Sequence, residues 1–311
     1  MTWPDAYGYA DWLNPPVEAD APEPAGGANR GDGRTVASAS MGLPSLTVPV
    51  KFQLMMTTIH DAAQRGYTQA PDSYQRGRPE YPQAVSAWLD TVLGVRKNAT
   101  VVDLGAGTGK FTKLLVRAGA TVSAVEPVDE MRTRLSESLP DVDARAGTAE
   151  SMPLSDGKAD AVVCAQAFHW FANSDALREI HRVLRPRGRL GLIWNVRDES
   201  CDWVAAITEI LKPYEGSAPR FHTGKWRLPF EGQSMFSPLK QTLFPHSHKG
   251  AFDEVILDRF ASVSFIAALP PAERDKVAQQ LQQLKRRFAV LREPEIVFPY
   301  MTQAWHVERA D

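Results

Sequence analysis

Asp103 sits in the run Val101–Leu104 and is followed by Gly105, Gly107 and Gly109 on alternate positions, in the stretch VVDLGAGTGKF. Glycines at this density let the main chain turn sharply and let a ligand lie against bare backbone. The amides that open the following helix favour a ligand carrying negative charge. Asp103 adds a carboxylate, which suits a ligand's ammonium. A dinucleotide fits this pair of features poorly. The G-x-G-x-x-G fingerprint counted from Gly105 needs glycine at position 110, where Lys110 stands, and a pyrophosphate would meet Asp103 unfavourably. A zwitterionic amino-acid tail satisfies both. Further on, Thr121–Val125 alternates into Glu126 and Pro127. An acidic residue ending the second strand of such a unit accepts from both hydroxyls of a ribose. The third chemical group is His169 in AFHWF, an imidazole that titrates near neutrality and could take a proton from a phenol, an amine or an enol.

These groups need elements that hold them at one edge. Pro82 to Leu93 reads as a helix with Val85, Trp88, Leu89 and Val92 on one side. The helix after the glycines carries Phe111, Leu114, Leu115 and Ala118, the apolar stripe of one helical face. Strands are expected at 100–104, 121–125, 142–146, 159–166 and 189–196, with a helix at 174–184. Alternation of strand and helix predicts an α/β fold, a doubly wound and mostly parallel sheet covered on both faces. Ligands in such folds bind beyond the carboxyl ends of the strands, where Asp103, Glu126 and Phe168–Trp170 fall. In the last third, 202–211 reads as a helix, 214–236 as a loop-rich insertion, and 239–244 as a sixth strand. Two helices are expected at 252–268 and 272–291, then a seventh strand at 295–307. His246 and His248 form an H-x-H on one strand face and read as surface residues, because two ligands do not make a metal site.

From about Tyr74 to about Arg197 the chain resembles the class I S-adenosylmethionine-dependent methyltransferases, and within them the type 11 subgroup that includes trans-aconitate methyltransferase-like and ubiquinone/menaquinone C-methyltransferase-like enzymes. VVDLGAGTGKF resembles the motif that cradles the methionine part of the cofactor, and AVEP the ribose motif. AGTAESMPL resembles the segment where a backbone group near Ala149 reads the adenine amine. AVVCAQAFHWF resembles the fourth strand and the loop beneath the methyl group, and LRPRGRLGLIW the approach to the fifth strand. The leader YQRGRPEYP, Tyr74 to Pro82, is similar to one closer to Y-x-x-x-R-P-x-Y-P that folds over the cofactor; its altered spacing leaves Arg76 and Arg78 as alternatives for the arginine. The resemblance implies a Rossmann-like seven-stranded sheet whose last strand returns antiparallel. It implies S-adenosylmethionine as cofactor, with contacts from Tyr74, Arg78, Asp103, Gly105, Gly107, Gly109, Glu126, Pro127, Met131, Ala149, Glu150 and Gln166. His169 falls where the family places acceptor-side residues, either as general base or as a ring packed locally while Trp170 covers the adenine.

Composition sets limits. The 311 residues are 43% hydrophobic, ample for a full core, and the formal charge of −2 gives no sign of a nucleic-acid face. No apolar run approaches membrane-spanning length. Cys164 and Cys201 are too few for a disulfide scaffold, and Cys164 lies in an apolar strand pattern, as expected of a reduced thiol in the cytoplasm. Residues 1–55 are rich in Pro, Ala, Gly and Ser without periodicity and read as a disordered extension. It is either an upstream continuation of a frame that starts near Met55 or Met56, the favoured reading, or a docking peptide built on Trp3, Tyr7, Tyr9 and Trp12. Residues 56–311 are expected to form the methyltransferase domain, with the cofactor-binding core at about 74–197 and acceptor-side elements at 198–311. The expected acceptor is a small molecule, a carboxylic acid or another metabolite. Phe168, Trp170 and Phe171 would floor its pocket, and the insertion bearing Arg220, His222, Lys225, Trp226 and Arg227 would either cap it or remain a solvated loop. No metal, nucleic acid or membrane partner is expected. The alternative function is a protein that retains the cofactor for binding or ring closure without methyl transfer.

Overall fold

The computed structural model describes residues 77–311. The expected extension 1–55, Tyr74 and Arg76 lie outside the described residues. Helix α1 spans Ala84–Thr91, followed by β1 (Thr100–Leu104), α2 (Thr112–Arg117), β2 (Thr121–Val125), α3 (Asp129–Ser138), β3 (Asp143–Arg145), β4 (Ala159–Ala165), α4 (Ser174–Val183), β5 (Leu184–Arg197) and α5 (Asp202–Leu211). Then come β6 (Lys240–Gly250), the short helices α6 (Arg259–Ala261) and α7 (Ser264–Ala267), the long helix α8 (Pro271–Arg287) and β7 (Ile296–Glu308). The seven strands form one sheet in the order β3-β2-β1-β4-β5-β7-β6. β1 to β5 pair in parallel, and β7 runs antiparallel between β5 and β6. This is the doubly wound sheet with an antiparallel last strand.

Alternation along the strands explains why both faces are covered. In β1, Val101 points into one core and Val102 and Leu104 into another; in β4, Ala161 and Val163 part in the same way from Val162 and Cys164. One core joins the sheet to α1 and α2 through Val85, Trp88, Leu89, Phe111 and Leu115. The other receives Leu177, Ile180 and Val183 of α4, the apolar stripe of a helix capped by Asn173, whose side chain accepts from the amide of Ala176. Strand order reverses between β1 and β4, so the ends of β1, β2 and β4 open onto one crevice. Leu104 pairs with Val125, and Asp103 with Val163, which brings the loops after these strands together.

Three expectations need correction. Strand β6 continues well past Phe244, because its whole length pairs with β7 out to Gly250 opposite Ile296. The segment expected as one helix at 252–268 is a π-helical turn, Asp253–Asp258, followed by α6 and α7. The break falls where Ser262 turns its hydroxyl back onto the carbonyl of Arg259 and Val263 is extended. The insertion is not a solvated loop. It forms short 3₁₀ turns that drive Trp226, 1% exposed, into the core, 4.8 Å from the ring of Trp194 and 5.4 Å from that of Trp305. Arg227 covers both Trp226 and Trp305, at 4.6 and 4.8 Å from their ring centroids. Truncation of Trp226 to alanine is expected to lower stability by about 3–5 kcal/mol, read from urea unfolding followed by circular dichroism. A loss below about 1 kcal/mol would mean that the insertion contributes little to the core.

Candidate active site

Gly105, Gly107 and Gly109 have φ of 72°, 57° and 82°, a left-handed conformation in which a side chain is strained. Space is also short: a Cβ on Gly105 would lie 2.7 Å from that of Ala167, in the loop after β4. Glu126 ties this loop to the end of β2. One carboxylate oxygen accepts from the amide of Gly107 at 2.9 Å, and the other from the amide of Val128 at 2.9 Å. Burial raises its pKa, and these two bonds oppose the rise. Each oxygen keeps a further lone pair for a hydroxyl donor.

Asp103 is fully buried. Its Oδ2 accepts from the Thr112 hydroxyl at 2.6 Å, while Oδ1, closed to solvent, has no hydrogen-bond partner among the described residues. Burial pushes its pKa from 3.8 up to about 7; the Thr112 bond opposes the rise and the charge of Glu126 adds to it. A buried acceptor left unsatisfied is costly, and an ammonium placed against Oδ1 would remove that cost. Asp103 and Gly105 line one cavity with Arg78, Lys110, Gln166 and Arg259. Gln166 holds a left-handed φ of 58° at the end of β4, with its amide bonded to the carbonyl of Ile193 at 2.8 Å. Backbone strain of this kind collects at ligand sites.

The described end of the leader is fastened over this cavity. A Cβ on Gly77 would collide with the backbone of Asp258 and Arg259, 2.5–2.6 Å away. Arg78 donates to the carbonyl of Ser262 at 3.1 Å, and Lys110 donates to the carbonyl of Arg78 and pairs with Glu80 at 3.2 Å. Asn195 donates to the carbonyl of Glu80, and Tyr81 meets Phe111 edge to face.

The remaining expected cofactor contacts are not among the residues lining the cavity. Pro127 and Met131 follow β2, Met131 buried in the first turn of α3. Ala149 is buried in the turn after β3, where Thr148 and Ser151 exchange backbone bonds. Glu150 accepts from the side-chain amide of Asn173, the residue that caps α4, so its carboxylate already serves the fold.

His169 lies in a 3₁₀ turn, Phe168–Trp170. Its Nδ1 faces the indole N–H of Trp194 at 3.2 Å, so the ring's own hydrogen sits on Nε2. Burial, then the charges of Arg220, Arg78 and His222, press its pKa down to about 3. A pKa this low makes the ring a weak base, and its acceptor nitrogen is already engaged by Trp194; both facts weigh against the general-base expectation. Arg220 lies 5.9 Å from the ring centroid of Trp170 and 4.3 Å from that of Phe265.

Sequence reasoning missed Arg259 and Tyr300, whose hydroxyl accepts from Arg259 Nε at 3.1 Å. The available signal was a lone cation next to Val255, Ile256 and Phe260 on an apolar face. His246 and His248 are not surface residues. Both are half-buried beside this cluster, His246 6.2 Å from the Tyr300 ring and His248 facing Arg259 and Lys110, and burial lowers both pKa values.

Residues 102–192 match the family described as "Methyltransferase domain". An uncharacterized methyltransferase-like protein of Schizosaccharomyces pombe is 38% identical over 238 residues, 76% of this chain and 92% of that protein. A malonyl-[acyl-carrier protein] O-methyltransferase of Methylococcus capsulatus is 41% identical over a shorter stretch of 98 residues, 30% of this chain and 36% of that enzyme. Among solved structures, a type II methyltransferase from Anaeromyxobacter dehalogenans superposes with a TM-score of 0.55 at 21% identity, over 75% of this chain and 97% of the other, and shares the fold. The chain belongs to the class I S-adenosylmethionine-dependent methyltransferases. It is a methyltransferase, and its cofactor is S-adenosylmethionine.

Asp103 yields a pH test. With its pKa near 7, the carboxyl must lose a proton before it can hold an ammonium, so cofactor affinity is expected to rise from pH 6 to pH 8. Asp103→Asn should weaken binding and flatten that rise, as titration calorimetry with S-adenosylhomocysteine will show. Without ligand the sign reverses. The unfolded chain releases this proton first, so the free protein loses stability as pH climbs from about 4 to about 7. An equal pH slope in wild type and Asp103→Asn would remove the carboxylate from the site.

Proposed function

We propose that this enzyme methylates a small molecule, and that the acceptor is a carboxylic acid. The observation that carries the reading is the cluster formed by the turn after β4 and the insertion. His169, Trp170 and Arg220 stand together there, the His169 and Trp170 ring centroids 5.2 Å apart and Arg220 5.9 Å from that of Trp170, so a polar donor, a positive charge and apolar surface are combined. The carboxyl-bearing acceptor named for the Methylococcus relative lends support, though that likeness covers only part of each chain. The balanced charge of the chain supports a small acceptor over a nucleic acid. Among the described residues no helix is long and apolar enough to cross a membrane. A cytoplasmic setting, in which Cys164 and Cys201 stay reduced, belongs to the same reading.

S-adenosylmethionine brings a methyl group already activated on a sulfonium. This chain's residues then bind, orient and exclude water. Asp103 Oδ1 takes the ammonium, Arg78 the tail carboxylate, and the glycine loop leaves room for the tail. Glu126 takes the ribose hydroxyls, and the segment of Met131, Ala149 and Glu150 flanks the base. Such positioning contributes on the order of 7–11 kcal/mol to a bimolecular step. A carboxylate acceptor arrives ionised and needs no base, which suits a His169 that donates from Nε2.

Incubation of a metabolite extract with the enzyme and methyl-labelled S-adenosylmethionine is expected to label small acids. Label found solely in macromolecules would overturn the reading. Glu126→Ala should weaken cofactor binding by about 1.5–3 kcal/mol through loss of a charged acceptor; an unchanged affinity by calorimetry would remove Glu126 from the ribose. His169→Gln, which keeps a donor, should hold turnover within tenfold and leave its pH profile unchanged. A loss of 10²–10⁴-fold would restore the general base.

A further inference from the structure

Arg259 carries a charge that the fold itself does not answer. Its Nε is committed to the Tyr300 hydroxyl, and its guanidinium lies 5.5 Å from the Phe260 ring centroid. Nη1 is closed to solvent and has no hydrogen-bond partner, and no carboxylate pairs with the side chain among the described residues. Several cations stand around it, of which Lys110 is paired with Glu80 and Arg197 with Glu199. Arg78 and Arg197 act on it directly, and Lys110 and His248 stand nearby. Burial lowers its pKa first, Tyr300 opposes the fall, and Arg78 and Arg197 add to it. A guanidinium held among cations at a cavity wall is expensive unless an anion arrives.

The cofactor cannot balance the whole set. Its amino-acid tail offers one ammonium, suited to Asp103, and one carboxylate, suited to Arg78. Arg259 stands in the same cavity as a second guanidinium. It comes from the segment after β6, outside the residues shared with the family model. With Nε occupied, the Nη1–Nη2 end of its planar fork is left, which matches the two oxygens of a carboxylate.

We propose that Arg259, oriented by Tyr300, is the specificity-determining residue that binds a carboxylate of the acceptor. This rests on the reading of a carboxylic-acid acceptor and names the group that selects it. Arg259 is a binding residue, and Tyr300 a positioning residue that acts through it.

Binding alone can test this, without knowledge of the acceptor. The protein saturated with S-adenosylhomocysteine is titrated with succinate and with 3-phenylpropionate, the corresponding amides serving as neutral controls. At least one acid is expected to bind ten times or more tightly than its amide. Arg259→Gln should erase that preference while S-adenosylhomocysteine affinity stays within twofold. Tyr300→Phe, a gentler change, should weaken the acid about three- to fivefold, again with the cofactor product unaffected. The proposal is overturned if neither acid binds wild type better than its amide, or if Arg259→Gln keeps the preference. It is also overturned if that variant loses S-adenosylhomocysteine in parallel, which would assign the guanidinium to the cofactor. Should Arg259→Gln prove unfolded by circular dichroism, Tyr300→Phe decides: an unchanged acid affinity overturns the proposal. Label in macromolecules alone in the extract experiment, combined with Arg259-dependent acid binding, would sink the small-molecule reading and leave the carboxylate site standing.

Discussion

One buried carboxylate holds the loops after β1 and β2 in register. Glu126 accepts from the amides of Gly107 and Val128, and so joins the loop after β1 to the turn after β2. Hydrogen bonds to a charged acceptor contribute about 1.5–3 kcal/mol each, more than neutral ones. They matter here for where they act. Three glycines in left-handed conformations make a loop that could move, and the bond at Gly107 fixes its middle. The shape of the cleft at Asp103 and Gly105 therefore depends on a side chain from the neighbouring strand.

Around that tie the site divides into two chemical halves. The glycine side is acidic: Asp103 and Glu126 are both buried, and desolvation raises both pKa values. Cations reach the same cavity, which Arg78, Lys110 and Arg259 line together with Asp103. A buried carboxylate and guanidinium groups lining one cavity suit a zwitterionic cofactor tail.

Much of this was legible in the sequence. Motif spacing put Asp103, the glycines and Glu126 at strand ends, where the structure has them, because strand ends can be read from local alternation. β1, β2 and α5 fall at the expected residues. What was not legible depends on contacts between distant segments. Trp226 looks like a loop aromatic until Trp194 and Trp305 are seen on either side of it. For His169 the sequence leaves a base and a locally packed ring as alternatives, because the indole of Trp194 on Nδ1 and the burial that lowers its pKa come from distant segments. Arg259 shows its importance only beside Tyr300, 41 residues further along.

The close approach of Gly77 to the backbone of Asp258 and Arg259 has a consequence for inheritance. Two stretches far apart in the chain, one before β1 and one after β6, share a surface with no room for a methyl group. Neither can drift alone: a side chain at position 77, or a shifted turn at 258, must be answered by the other. A chimaera that takes its acceptor-side segment from one relative and its leader from another would inherit a mismatch at this seam. The two pieces are a single unit of exchange, although they are far apart in the chain.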